Sequence, residues 1–210
     1  MSVIKHKEQR VGVFIDAQNL YHSAKNIYHS KVNFAHVVKD AVGDRQLIRA
    51  IAYVITTESG EEQGFFDALT KVGIETKTKD LQVFSSGSKK GDWDVGLAID
   101  AVKLAPKLDA VVIVSGDGDF LPLVKYLQEN QGCQVEAVTF GKSASMKLKE
   151  SVDDFLDLDT DPGRYLMSYR GGRRHTKEDD STDERKEQEI KGPSKDSQTG
   201  SRVRRVFRKL

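Results

Sequence analysis

Four β-branched residues in succession, Val111, Val112, Ile113 and Val114, run straight into SGDGDF at 115–120. Such a run, with no polar alternation, predicts a strand buried on both faces, and that demands a parallel sheet with helices above and below it. After the strand the chain turns through Ser115 and two glycines and presents Asp117 and Asp119. The helix-prone run FLPLVKYLQEN follows, with Pro122 in its first turn, where a missing N–H costs nothing. Ligands of open α/β sheets bind at the carboxyl ends of such strands. Two carboxylates there repel each other unless something positive lies between them, and a divalent cation is the usual partner. The bland alternative is an Asx turn with Asp119 as the helix N-cap.

The rest of the chain supplies the sheet this strand needs. Val11–Ile15 reads as a strand ending at Asp16, with helical character over Leu20–Ile27. Asn33 is positioned to cap a helix FAHVVKDAV, and Leu47–Ile55 reads as the next strand. A helix over Glu61–Val72 is closed by Gly73, and Ile74–Lys79 resembles an edge strand. Phe84–Gly91 is polar and reads as a loop. A helix over Trp93–Ala105 is halted by Pro106. Beyond the central strand come a helix at Leu121–Asn130, a strand at Val135–Thr139, a short helix within Gly141–Glu150 and a short strand at Phe155–Leu158. Strand and helix alternate with short links, which predicts a parallel sheet covered on both faces.

On a helical wheel Asp94 lies in the middle of the apolar face formed by Leu97, Ala98, Ala101, Val102, Leu104 and Ala105. A carboxylate there is costly to bury unless it is paired or metal-bound. Stabilisation of the first helical turn is the competing explanation. Asp100 falls beside Gly96 and Lys103 on the polar side, where a plain surface role suffices. Three segments thus deliver Asp16, Asp94, Asp117 and Asp119, which converge if the first and central strands are neighbours. Such a set suits Mg²⁺ or Mn²⁺, and with it hydrolysis of a phosphodiester without a Ser or Cys nucleophile. Asn19 could orient a water or phosphate, or be a polar residue on a solvated face. Lys89 and Lys90 could meet a phosphate, or belong to an ordinary solvated loop. Trp93 could stack a base, with packing the competing role.

Other chemistries fit worse. The Gly116–Asp119 turn lacks the spacing and the Lys of a Walker motif. No pair of the five histidines shows helical metal-ligand spacing, and Ser115 has no obvious base partner. An aspartyl-phosphate mechanism at Asp16 wants a second Asp two positions on, where Gln18 stands. The single cysteine, Cys133, allows no intrachain disulfide and points to a reducing compartment. No leader opens the chain and no apolar run could span a bilayer, so a cytoplasmic protein with no membrane partner is expected.

The net charge of +1 hides an asymmetry, with an acidic excess over 1–160 and a basic one over 161–210. From Pro162 periodicity fades into a charged stretch ending with Arg202, Arg204, Arg205, Arg208 and Lys209. Its composition cannot repay the entropy of ordering. The expected organisation is therefore an N-terminal extension over 1–10, one domain over 11–160 and a disordered charged tail over 161–210.

FIDAQNL (14–20), KKGDWDVGLAIDA (89–101) and SGDGDFLPLV (115–124) resemble, in order and spacing, the three signature blocks of the NYN domain family, a branch of the PIN-like nucleases. The resemblance covers about residues 10–160, and the chain is similar to the bacterial single-domain members. It implies a PIN-like three-layer α/β sandwich around a mostly parallel sheet, and a metal-dependent ribonuclease. Residue by residue it implies Asp16, Asp94, Asp117 and Asp119 as catalytic and metal ligands, with Asn19 as their polar companion. Lys90 and Trp93 are added as candidate substrate contacts. Asp100 also matches the family pattern, against the wheel, and stands as a possible partner of the ligands. The expected partner is RNA, most readily single-stranded, with the basic terminus adding sequence-independent affinity. The alternative is an RNA-binding or regulatory protein that keeps the pocket without catalysis. A homodimer is allowed but not required.

Overall fold

The computed structural model describes residues 3–56, 63–83 and 89–167. In chain order the elements are β1 (Arg10–Asp16), α1 (Ala17–Tyr28), β2 (Lys31–Val32), α2 (Phe34–Val42), β3 (Gln46–Thr56), α3 (Gln63–Lys71) and β4 (Glu75–Asp80). Then follow β5 (Gln82–Val83), β6 (Lys89–Lys90), α4 (Asp94–Leu104), β7 (Ala110–Val114), α5 (Leu121–Gln131) and β8 (Gln134–Thr139). The last are α6 (Met146–Ser151), β9 (Asp154–Asp157), α7 (Pro162–Tyr165) and β10 (Leu166–Met167).

Six strands form one sheet in the order β4-β3-β1-β7-β8-β9. Every neighbouring pair is parallel. As the AVVIV run demands, β7 is buried throughout its length. Its alternate residues enter different cores. Val112 and Val114 join α1 and α2 through Leu20, Ala24, Val37 and Ala41. Val111 and Ile113 join α4 and α5 through Leu97, Ala101, Val124 and Leu127. This is the three-layer α/β arrangement, with β4 at one edge as its polar alternation predicts.

Local signals act where the sequence placed them. The side chain of Asn33 accepts from the N–H of His36 and caps α2. Gly73 takes a φ of 77°, which lets α3 turn into β4. The helix expected within Gly141–Glu150 begins only at Met146, because 141–145 form a turn against the central loop. Of the loop expected over Phe84–Gly91, Lys89–Lys90 pairs antiparallel with Gln82–Val83, and 84–88 lie outside the described residues.

The boundary at 160 falls too early. Residues 161–167, assigned to the tail by composition, are part of the fold. Leu166 and Met167 pair with β2, and Tyr165 and Leu166 are buried. The Tyr165 hydroxyl donates to Asp40, whose carboxylate also takes Arg164 Nη2 at 2.6 Å. Two apolar residues and one ion pair were enough to fix the segment against α2. Residues 168–210, including the basic terminus, lie outside the described residues.

Candidate functional site

The register of the central strands brings the acidic segments together. Ile15 of β1 lies opposite Val114 of β7, so Asp16 emerges beside Ser115 at the carboxyl edge of the sheet. Asp16 ends β1 and caps α1, with Oδ1 accepting from the Asn19 N–H at 3.0 Å. The Asn19 side chain in turn accepts from the N–H of Gly116 at 3.0 Å. Ser115 is fully buried; its hydroxyl donates to Asp16 Oδ2 at 3.3 Å and accepts from the Asp117 N–H at 3.2 Å. The Asx turn is present, but Asp117 makes it, accepting from the N–H of Asp119 at 2.9 Å. Asp119 is left exposed.

This turn is held against the chain that follows β8. The Ser145 N–H donates to the Gly116 carbonyl at 2.9 Å. A Cβ on Gly116 would stand 3.0 Å from Ala144 Cα and 3.3 Å from the Ser143 carbonyl oxygen, both backbone atoms that cannot swing aside. Glycine at 116 is therefore a matter of close approach.

Asp94 enters from α4. The preceding Trp93 fixes the start of that helix, because its indole N–H donates to the Val54 carbonyl at 3.0 Å and its ring lies 5.4 Å from that of Tyr53. Gly96 lies directly beneath, and a Cβ there would come within 2.5 Å of the indole. Burial, then the charges of Asp16, Asp117, Asp92 and Asp119, push the Asp94 carboxyl up to about 6 from an ordinary 3.8. Asp16 is also raised, foremost by burial; bonds from Asn19 and Ser115 oppose this, and the Asp117 charge adds to it.

Asp94 thus senses the charges of Asp16, Asp117 and Asp119, and Asp16 that of Asp117. Among the described residues none of them is paired with a Lys, Arg or His. Among the same residues no three His, Cys, Asp or Glu side chains close around a single point as a metal cage would. The donor set nonetheless fits Mg²⁺ or Mn²⁺. It is all oxygen, it carries surplus negative charge, and Mg²⁺ takes only one or two carboxylates directly while keeping its waters.

The remaining expectations divide. Asn19 faces the acidic turn, while Trp93 is half-buried and packed by the contacts just described. Lys90 lies on β6, opposite Gln82. Asp100, which the wheel left to a plain surface role, is half-buried and engaged. It accepts from the Tyr53 hydroxyl at 2.8 Å and from Lys77, tying α4 to β3 and β4. Burial alone would raise its carboxyl, but these two bonds hold it below the ordinary value. The wheel sees one helix, and both partners come from other strands. Ser115 was missed because it was tested as a nucleophile. The signal was its place, a hydroxyl at the end of a fully buried strand, where it must find partners.

No helix among the described residues is long and apolar enough to cross a membrane. The NYN domain family model matches residues 10–159. The low amplitude and bright protein LabA of Synechococcus elongatus is 25% identical over 161 residues, covering 72% of this chain and 85% of its own. A crystal structure of a protein of unknown function from Vibrio parahaemolyticus superposes with a TM-score of 0.70 at 30% identity, covering 79% of this chain and 100% of that one.

Proposed function

The chain belongs to the NYN domain family, and from that premise we propose a divalent-metal-dependent ribonuclease that hydrolyses phosphodiester bonds of single-stranded RNA. The observation that supports it is at the carboxyl edge, where the charges of Asp16, Asp117 and Asp119 act on a part-buried Asp94 and, among the described residues, none of the four is ion-paired with a Lys, Arg or His. Families of PIN-like fold place nuclease chemistry at such an edge, which favours RNA over a small metabolite.

Asp16, Asp94, Asp117 and Asp119 would hold Mg²⁺ or Mn²⁺. Bound there, such an ion would lower the pKa of a water and offset the charge gathering on the phosphate. The chain's own part is orientation. Asn19 and Ser115 fix the two oxygens of Asp16, and the Asp117 turn aims the exposed Asp119 carboxylate outward. Asp94 holds a proton to about pH 6. Proton and metal compete there, so metal affinity weakens as pH falls through that value.

A second reading, an RNA-binding protein without catalysis, draws on the carboxylates not closing around one point. One experiment separates the two. End-labelled RNA is incubated with the protein and Mg²⁺, Mn²⁺ or EDTA, beside Asp117→Asn. Metal-dependent cleavage lost in the variant supports the nuclease. Equal cleavage by both proteins means a contaminant and removes the claim. Binding without cleavage in any metal favours the second reading.

A further inference from the structure

The carboxyl edge carries cations on both flanks of the acidic cluster, each seated on an aromatic ring. On one flank β4 presents Glu75, Lys77 and Lys79 toward the α4 side, opposite Ile51, Tyr53 and Ile55. Arg49 engages Glu75 and Asp100 engages Lys77. Lys79 differs from both: among the described residues no carboxylate lies within ion-pair distance of it. Its ammonium lies 5.9 Å from the centre of the Trp93 ring and 3.4 Å from the Asp92 carbonyl, next to the start of α4. Along the sheet Lys79 stands level with Ile55, two residues past the Tyr53 that lies opposite Asp16.

On the other flank Lys142 follows β8. Its ammonium lies 5.0 Å from the centre of the Tyr28 ring and donates to the Tyr28 hydroxyl at 3.1 Å. Tyr28 is itself held by Phe140, whose ring is 5.4 Å away, and by a hydrogen bond to Asp159. The Lys142 N–H donates to the same Asp159 carboxylate at 2.8 Å. Both lysines are exposed, yet each ammonium already lies over a ring, so less rotamer entropy is lost when an anion arrives.

Four inter-strand steps separate β4 from β8, or about 19 Å at the usual strand spacing. The acidic ends of β1 and β7 lie between them. We propose that single-stranded RNA lies across this edge at right angles to the strands, with backbone phosphates on Lys79 and Lys142 and the bond to be cut over the carboxylates between. Trp93 then serves to hold Lys79 in place and not as a stacking platform. The path rests on the ribonuclease reading of the same site.

The test is the salt dependence of binding of a short fluorescein-labelled oligouridylate to the full chain, with Ca²⁺ replacing Mg²⁺ to suppress cleavage. Each phosphate contact to a single strand contributes a slope of about 0.7 in log K against log salt. Lys79→Ala and Lys142→Ala are each expected to flatten the slope by about that amount, and the double variant by about twice it. Lys79→Arg should restore the slope, and Lys107→Ala, at the amino edge, should leave it unchanged. Any contribution of residues 168–210 is common to all variants and cancels. A double variant with the parental slope, in a protein that still cleaves RNA with Mg²⁺, overturns the path and leaves the nuclease standing. A parent protein that neither binds nor cleaves overturns both.

Discussion

The two ends of this sheet handle charge in opposite ways. At the amino edge Asp109, Glu136 and Asp154 each have a cation. Arg10 binds Asp109 through its backbone N–H and both ends of its guanidinium, which holds that carboxyl down at about 2. Arg45, buried, donates to Glu136 at 3.0 Å and to the last carbonyls of α2. Lys5 bridges Glu136 and Asp154. At the carboxyl edge Asp94 is driven up to about 6, by burial and then by the charges of Asp16, Asp117, Asp92 and Asp119. Charge at the amino edge is settled within the fold. Charge on Asp94 at the carboxyl edge has no such partner among the described residues.

The largest expected effect is at the settled end. Arg45→Met leaves the buried Glu136 with Lys5 as its remaining cation and should cost up to about 3–5 kcal/mol, as breaking a buried pair does. Urea unfolding measures it, and Arg45→Met with Glu136→Leu should recover most of the loss. Unchanged stability in the single variant would erase the contrast. At the unsettled end Asp117→Asn should behave in the opposite sense. Metal-dependent cleavage should fall by at least on the order of 10²-fold, since outer partners of a metal site alone are worth 10–100-fold. Its thermal midpoint without metal should hold or rise, because a repelling charge is gone. A variant that loses stability and keeps cleavage would reverse the assignment.

Ser115→Ala sharpens the comparison further. Losing the hydroxyl that joins Asp16 to Asp117 should lower cleavage by about 10–100-fold and raise the Mg²⁺ needed for half-maximal rate. Ser115→Thr should rescue both; a residue that only packs would leave the metal requirement unmoved. The smallest effect is in pH. Because folding raises the Asp94 pKa from 3.8 to about 6, its protonated form favours the native state. Its contribution is fully present below the ordinary value and is lost as pH rises through the folded one. The thermal midpoint of metal-free protein should therefore decline between about pH 4 and 6 more steeply than that of Asp94→Asn. Added Mg²⁺ should flatten the difference, and parallel curves without metal would remove the strain assigned to Asp94.

What the sequence made legible follows from the range of each signal. β7, the Asn33 cap and the SGDGD turn are local, and their residues carry them whole. Asp16 and Asp94 stood out because one ends a strand run and the other interrupts an apolar face, and Asp117 and Asp119 because they lie in the turn after the buried strand. Asp100 was misread because Tyr53 and Lys77 reach it from β3 and β4, and no wheel drawn on α4 contains them. The pairing of Leu166 with Val32 failed to show for the same reason, since composition alone averages away two buried residues. Lys79 was invisible as well. What distinguishes it is that its neighbours on β4 are already engaged, and that is a property of pairs.

The seating of Trp93 over Gly96 also restricts how this protein can change by descent. Every missense change of one base in a glycine codon introduces a residue with a Cβ, and at 96 that atom meets a rigid ring at 2.5 Å. No one-base change in the tryptophan codon yields another aromatic residue. Neither partner can be exchanged first and the other fitted afterwards without passing through a form with α4 dislodged. Lineages that keep the carboxyl edge working are thereby expected to keep both residues or to have replaced them together.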